Sequence, residues 1–310
     1  MRFRFQPWQL AVLVVLLCAG AVGVLELRRN SQRYDATRLM QALPVNGAVK
    51  LYLDVGQLRA SGLLDEIAGK EAAEDADYRS FSEEIGFDYR TDLDAVAAAF
   101  VNGGFYAAVK GHFDWKRLND YVRSQAGRCL NGICAMVGSQ PDRMISFYPL
   151  NSEVMALAVS DQPQGVVMIS AGQSKAITVP PAVLWISAPG SAFRKISDPP
   201  TGTRSFLTPL ADAQEASFSI QAAPGSGDAL QIRMEVGCAS PRAASDLAGD
   251  LTHSTEELRR MLTRENLTPN KSNLSGVLVS GRFEVHESKV TGTWPMDRGV
   301  IQALVSGQVK

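Results

Sequence analysis

The chain has 310 residues, with 31 basic against 32 acidic side chains, 45% apolar residues and 20% charged. This composition excludes a disordered tail, a collagen-like fibre and a multi-span membrane protein. A net charge of -1 lacks the electrostatic footprint of a nucleic-acid binder, and four Cys with three scattered His make no zinc framework or iron–sulfur cluster, so no cofactor is expected.

Phe5 to Leu25 is a run of 21 uncharged residues, 16 of them apolar or Cys. As a helix it would be about 31 Å long, matching a hydrocarbon core of about 30 Å, with Trp8 near headgroup level. Arg2 and Arg4 precede the run and Arg28, Arg29 and Arg33 follow it, so charge alone leaves orientation open. We read residues 1–27 as a transmembrane anchor, with the membrane as partner through residues 5–25 and the body outside the cytoplasm. The competing reading is a signal peptide cleaved at Ala19-Gly20-Ala21, giving a secreted or periplasmic protein. Cleavage there would leave apolar Val22-Gly23-Val24-Leu25 at the new N-terminus, which favours retention. Cys18 follows Leu17, whereas lipoprotein processing requires a small residue at that place.

Residues 28–42 form a polar stalk, and folded material begins at Leu43-Pro44. Asn46-Gly47 leads into a strand over Ala48 to Leu53. Asp54 then caps a helix carrying Leu58, Leu64 and Ile67, with Gln57 completing a capping box. Asn102-Gly103 joins strands Val96 to Val101 and Phe105 to Val109, and Asp114 caps the next helix, where Phe113 and Leu118 form a hydrophobic staple. Arg128-Cys129-Leu130-Asn131-Gly132-Ile133-Cys134 has the pattern of a type I′ hairpin, with Leu130 opposite Ile133 and Cys129 opposite Cys134. Such a cross-strand pair brings the Cα atoms within disulfide range, so Cys129–Cys134 is the candidate disulfide and Cys238 a buried thiol. Strands Ile145 to Tyr148 and Val154 to Val159 follow.

Pro180-Pro181 marks a join, and the order repeats. Val183 to Ile186 is a strand. Ala216 to Ala222 and Leu230 to Val236 alternate apolar with polar residues across Pro224-Gly225-Ser226-Gly227, so each should have one wet face. Ser240-Pro241 starts a helix with the inward stripe Ala244, Leu247, Leu251, Leu258 and Leu262. Val277 to Val285 and Val290 to Trp294 make a last hairpin, and Val300, Ile301, Leu304 and Val305 face inward on a closing helix.

Each half reads strand, helix, hairpin, helix, hairpin. The fold class is therefore α+β, with two βαββαβ-like (ferredoxin-like) repeats over residues 43–178 and 179–310, built as two sandwiches or as one continuous antiparallel sheet. The opening Leu43-Pro44, Ala48, Leu53-Asp54, Leu58, Ser61 and Leu63-Leu64, with the later Gly86-Phe87-Asp88-Tyr89-Arg90-Thr91-Asp92-Leu93-Asp94, resembles a family of uncharacterised bacterial envelope proteins that follow an anchor with duplicated α+β domains. The resemblance covers about the first third of the chain. It implies location and architecture, and no activity.

Catalytic motifs are missing. Gly225-Ser226-Gly227 lies between alternating strands rather than before a helix, and neither Gly-x-Ser-x-Gly nor His-Glu-x-x-His occurs. His112, His253 and His286 read as surface or strand-end residues. The most uneven charge lies from Asp65 to Ala98, where eleven acids stand against three bases. Asp75, Asp77, Glu83, Glu84, Asp88, Asp92 and Asp94 are a candidate acidic face for a basic protein partner or a cation. The bland reading is a solvated helix followed by a turn in which Asp92 or Asp94 caps amides. Asn266, Asn270 and Asn273 head glycosylation sequons in an exposed loop, and Trp115, Trp185 and Trp294 are core candidates. Two functions follow: a non-enzymatic binding or structural module of the cell envelope, or an envelope enzyme with a carboxylate site between the halves built on Asp88, Asp92 and Asp94.

Overall fold

The computed structural model describes residues 34–68, 76–101, 103–138, 140, 142–170, 177–196, 203–223, 229–266, 268 and 274–300. The run at 5–25, Asp75, Asn102, residues 224–228, Asn270, Asn273 and Ile301, Leu304 and Val305 of the expected closing helix lie outside them. Among the described residues no helix is long and apolar enough to cross a membrane.

Helix α1 (Ala36–Gln41) precedes β1 (Val49–Asp54), with Gly47 turning the chain at φ 68°. Asp54 Oδ1 accepts the Gln57 N–H at 2.8 Å and caps α2 (Val55–Ala60). The reciprocal half of the capping box is not made, because the Asp54 N–H donates to the Val183 carbonyl. The expected single helix through Leu58, Leu64 and Ile67 is split into α2 and α3 (Leu63–Ala68), since Gly62 takes the left-handed conformation at φ 73°. Then come α4 (Ala76–Ile85), the single turn α5 (Tyr89–Asp92), strands β2 (Leu93–Val101) and β3 (Gly104–Gly111), and α6 (Trp115–Ser124), capped by Asp114. Strands β4 (Arg128–Leu130), β5 (Ile133–Val137), β6 (Met144–Pro149) and β7 (Val154–Ser160) follow.

Next are β8 (Leu184–Pro189), the short turns α7 (Gly190–Phe193) and α8 (Arg204–Leu207), and the hairpin of β9 (Glu215–Ala222) with β10 (Leu230–Gly237). Helix α9 (Pro241–Arg264) starts as its sequence requires, with the Ser240 side chain accepting the Ala243 N–H at 3.2 Å and Pro241 at the first helical position. Helix α10 (Leu274–Leu278), β11 (Arg282–His286) and β12 (Lys289–Met296) complete the described chain.

All twelve strands join one antiparallel sheet in the order β11-β12-β10-β9-β8-β1-β2-β3-β7-β6-β5-β4. From the central β1–β8 pair, β1-β2-β3-β7-β6 and β8-β9-β10-β12-β11 follow the same path outward, and the β4–β5 hairpin extends one side only. The ferredoxin-like expectation is corrected here. A split β-α-β unit holds the strands joined by a helix parallel, with a third strand between them. Here β1 and β2 are joined through helices yet are direct antiparallel neighbours. The helices after β1 and β8 return the chain beside the strand it left, whereas α6 and α9 carry it to the outer edge of the sheet, from which β4 to β7 and β11 to β12 step back to pair with β3 and β10. The fold is α+β around one large antiparallel sheet.

The period-two alternation gives this sheet two different faces. On one face, Ala97, Ala99, Ala108, Ala156 and Ala158 are fully buried against Leu39, Met40 and Leu43 from the α1 segment and Val166 and Ile169 from the turn after β7. Small side chains there let a second layer approach the strands closely. The same face of β9 and β10 carries Ser217, Ser219, Gln221, Gln231, Arg233 and Glu235, polar as expected from their alternation and partly solvated, with Ser219 buried beside Trp185. The opposite face is covered in two places. Ala244, Leu247, Leu251 and Leu258 of α9 join a core with Met234, Val290, Trp294 and Met296, and Leu262 farther along the same stripe is buried, while Leu118 and Val122 of α6 pack with Ile85, Cys134 and Phe147. Each large apolar side chain so buried contributes roughly 1.5–3 kcal/mol. Trp185 and Trp294 are core residues as expected, and Trp115 is half-buried with its indole N–H donating to the Ser152 carbonyl at 3.2 Å.

Candidate functional site

The hairpin geometry read from Asn131-Gly132 is present. Both residues have positive φ, at 52° and 81°, and Cys129 pairs with Cys134 across the strands. The two form a disulfide with Cα atoms 3.9 Å apart, and Cys238 is a buried free thiol whose pKa is raised by burial. Asn119 of α6 presents its side-chain oxygen 3.0 Å from the Cys134 sulfur, so the disulfide sits under that helix.

The acidic residues do not converge on a common centre. Asp88 Oδ1 accepts the Arg90 N–H at 2.9 Å, capping α5, while Asp92 Oδ2 accepts the Asp88 N–H at 2.8 Å. Asp94 lies 3.8 Å from the Arg59 guanidinium, which also donates to the Arg90 and Leu93 carbonyls. Glu84 accepts from the Ser124 hydroxyl at 3.0 Å, Glu83 is exposed, Asp77 lies on α4, and Asp75 is outside the described residues. Asp88 and Asp92 thus each accept a backbone amide in the turn, whereas Asp94 lies beside Arg59. Among the described residues no group of three or more His, Cys, Asp or Glu could hold a metal ion. His112, His253 and His286 are all exposed.

Two features escaped the sequence reading. The first is at the β1–β8 junction, where Lys50 is only 5% exposed and its ammonium lies 2.6 Å from Glu215 Oε1. The fully buried Ser187 hydroxyl donates to the same carboxylate oxygen. Half-burial opposes ionisation of Glu215, but the hydrogen bonds from Lys50 and Ser187, with the Lys50 charge, outweigh it and hold the carboxyl below its ordinary range. The signal was available in principle. Alternation through Val49-Lys50-Leu51-Tyr52-Leu53 puts Lys50 on the face opposite the aliphatic residues, but the sequence does not show that Glu215 meets it across 165 positions.

The second feature lies on the other face. Val49 pairs with Phe100, Phe100 with Phe105, Phe105 with Val159, and Val159 with Ile145, so five apolar side chains form one rung across β1, β2, β3, β7 and β6. The next rung inward carries Ala98 and Ala107, which lets the Phe100 and Phe105 rings stand proud, 5.1 Å apart. Neither α9 nor α6 reaches this end of the face. Phe100 is 46% exposed, and the rung floors an open cleft of about 950 Å³. Ser191, Ala192 and Lys195, in and just after α7, line one part of the cleft, and Gly138, Gln140 and Arg143 of the β5–β6 loop line another. Arg143 is braced by donating to the Gly103 carbonyl, and Lys195 is exposed. Among the described residues no carboxylate lines the cleft.

No protein-family model matches the chain, and no curated protein does. The likeness to solved structures is to TP0453. Crystal form I matches at TM-score 0.45 and 10% identity over 90% of this chain and 100% of that one. Crystal form IV matches at 0.44 and 9% over 86% and 96%, and crystal form III at 0.43 and 9% over 88% and 99%. At these identities and scores the likeness says nothing about activity.

Proposed function

We propose that the protein is a membrane-tethered extracytoplasmic module of the cell envelope that works by binding rather than by catalysis, with the open cleft over Phe100 and Phe105 as its working surface. The observation that carries this reading is the apolar rung left uncovered between two helical covers on one continuous face. Contiguous exposed apolar surface in a concave setting marks a binding site far more often than scattered single side chains do. The tether rests on the uncharged run at 5–25, and the body's placement outside the cytoplasm is supported by the Cys129–Cys134 disulfide, a bond that persists in oxidising compartments. The enzymatic alternative needed Asp88, Asp92 and Asp94 free to act on a substrate, and each is already held by a backbone amide or by Arg59.

The test uses the full chain in phosphatidylcholine nanodiscs with an environment-sensitive apolar dye. Phe100→Asp is expected to lower dye affinity about tenfold or more while preserving the melting transition, since Phe100 is nearly half exposed. Leu130→Asp and Met261→Asp, at residues 67% and 53% exposed elsewhere on the body, are expected to leave affinity unchanged. Equal losses in all three variants, or no loss in the first, would contradict the reading.

A further inference from the structure

The cleft is apolar along its floor and cationic at its mouth, and that combination specifies a class of occupant. From β1 to β6 the rung crosses five strands, roughly 19 Å at the usual interstrand spacing, and it is one side chain wide. A floor of that length seats an extended chain lying across the strands. Arg143 and Lys195 both line the cleft, on different flanks, and among the described residues no carboxylate lines it. Arg143 belongs to the loop beside Ile145, at one end of the rung, and the Phe100 and Phe105 rings are held by strand pairing, so the surface is formed before any ligand arrives.

We infer that the cleft binds a single-chain aliphatic carboxylate, a free fatty acid, with its chain on the apolar rung of Val49, Phe100, Phe105, Val159 and Ile145 and its headgroup at Arg143. This rests on the proposal that the cleft is the working surface, and it adds the identity of the ligand. The guanidinium offers paired donors to a carboxylate, so a carboxylate is preferred over an uncharged headgroup on the same chain.

The experiment displaces the apolar dye from the full chain in phosphatidylcholine nanodiscs, with the Phe100→Asp variant in identical discs as background. Alkanoates of increasing length are compared with alkanols of the same length. Alkanoate affinity is expected to rise about fourfold per added methylene, and each alkanoate to bind at least several-fold tighter than its alkanol. Arg143→Gln is expected to erase the acid-over-alcohol preference while leaving the length dependence intact, a pattern a merely misfolded variant would not give.

Equal binding of acids and alcohols would overturn the headgroup assignment while leaving the cleft as a binding surface. Dye binding that no single-chain compound displaces, or that a paired-chain anionic phospholipid displaces equally well, would overturn the ligand class. Absence of cleft-specific dye binding would instead overturn the functional reading beneath it.

Discussion

Replacing Glu215 by Gln is expected to destabilise the body by about 1–3 kcal/mol, whereas Lys50→Met should leave stability nearly unchanged. The asymmetry follows from burial. Lys50 is 5% exposed on the central strand, so removing its anionic partner leaves an ammonium with nowhere to be hydrated. For a fully buried pair that loss is about 3–5 kcal/mol. The smaller figure applies here because the Glu215 side chain keeps 52% of its surface in water and is partly screened. Methionine at position 50 fills a similar volume beside Ala99 and Ser187 without a charge to desolvate. Thermal melts would separate the two by several degrees. A loss in Lys50→Met as large as that in Glu215→Gln would show that the pair's attraction, rather than the stranded charge, dominates.

The same pair sets an acid limit. The folded-state pKa of Glu215 is lowered, so its stabilisation is fully present above the unfolded value of about 4.3 and is lost as pH falls through the folded value. Stability plotted against pH should therefore fall less steeply below about pH 4.3 in Glu215→Gln than in the parent chain.

Gly190→Ala is expected to be as damaging, at about 2–4 kcal/mol, or about 5–15 °C in melting temperature. A Cβ at Gly190 would lie 2.1 Å from the Ala213 carbonyl oxygen and 2.8 Å from that of Ala211, and both are backbone atoms that no rotamer change can move aside. Relief requires α7 to lift away from the turn before β9. That displaces Ser191, Ala192 and Lys195, so the remaining folded protein should also show weakened cleft binding. Gly249→Ala, where the added methyl meets nothing within 4 Å, is the paired control and should melt no lower than the parent. A parent-like melt for Gly190→Ala would mean that the approach of α7 to that turn is looser than the structure describes.

Local signals carried the architecture well. Asp54, Asp114 and Ser240 cap the helices they precede, Asn131-Gly132 forms the hairpin that brings Cys129 to Cys134, and the alternation at 216–222 and 230–236 gives a strand pair with one wet face. What sequence could not supply was the order of strands. Helical connections of this length permit either a parallel crossover or an antiparallel return, and the choice depends on which faces pack together. The functional surface was hidden for the same reason. Val49, Phe100, Phe105, Val159 and Ile145 each look like an ordinary core residue in its own strand, and only their register reveals a single rung. The net charge from Asp65 to Ala98 likewise does not show that Asp88 and Asp92 accept backbone amides and that Asp94 lies beside Arg59.

Residue-level carbene footprinting with a water-soluble diazirine tests the central claim most directly, comparing the full chain in its native membranes with the same protein after lipid removal. If the rung is a binding surface, the segments holding Phe100, Phe105 and Val159 will be protected in native membranes and labelled once lipid is removed, while Leu130 and Met261 label alike in both. Equal labelling of the rung before and after lipid removal would contradict it.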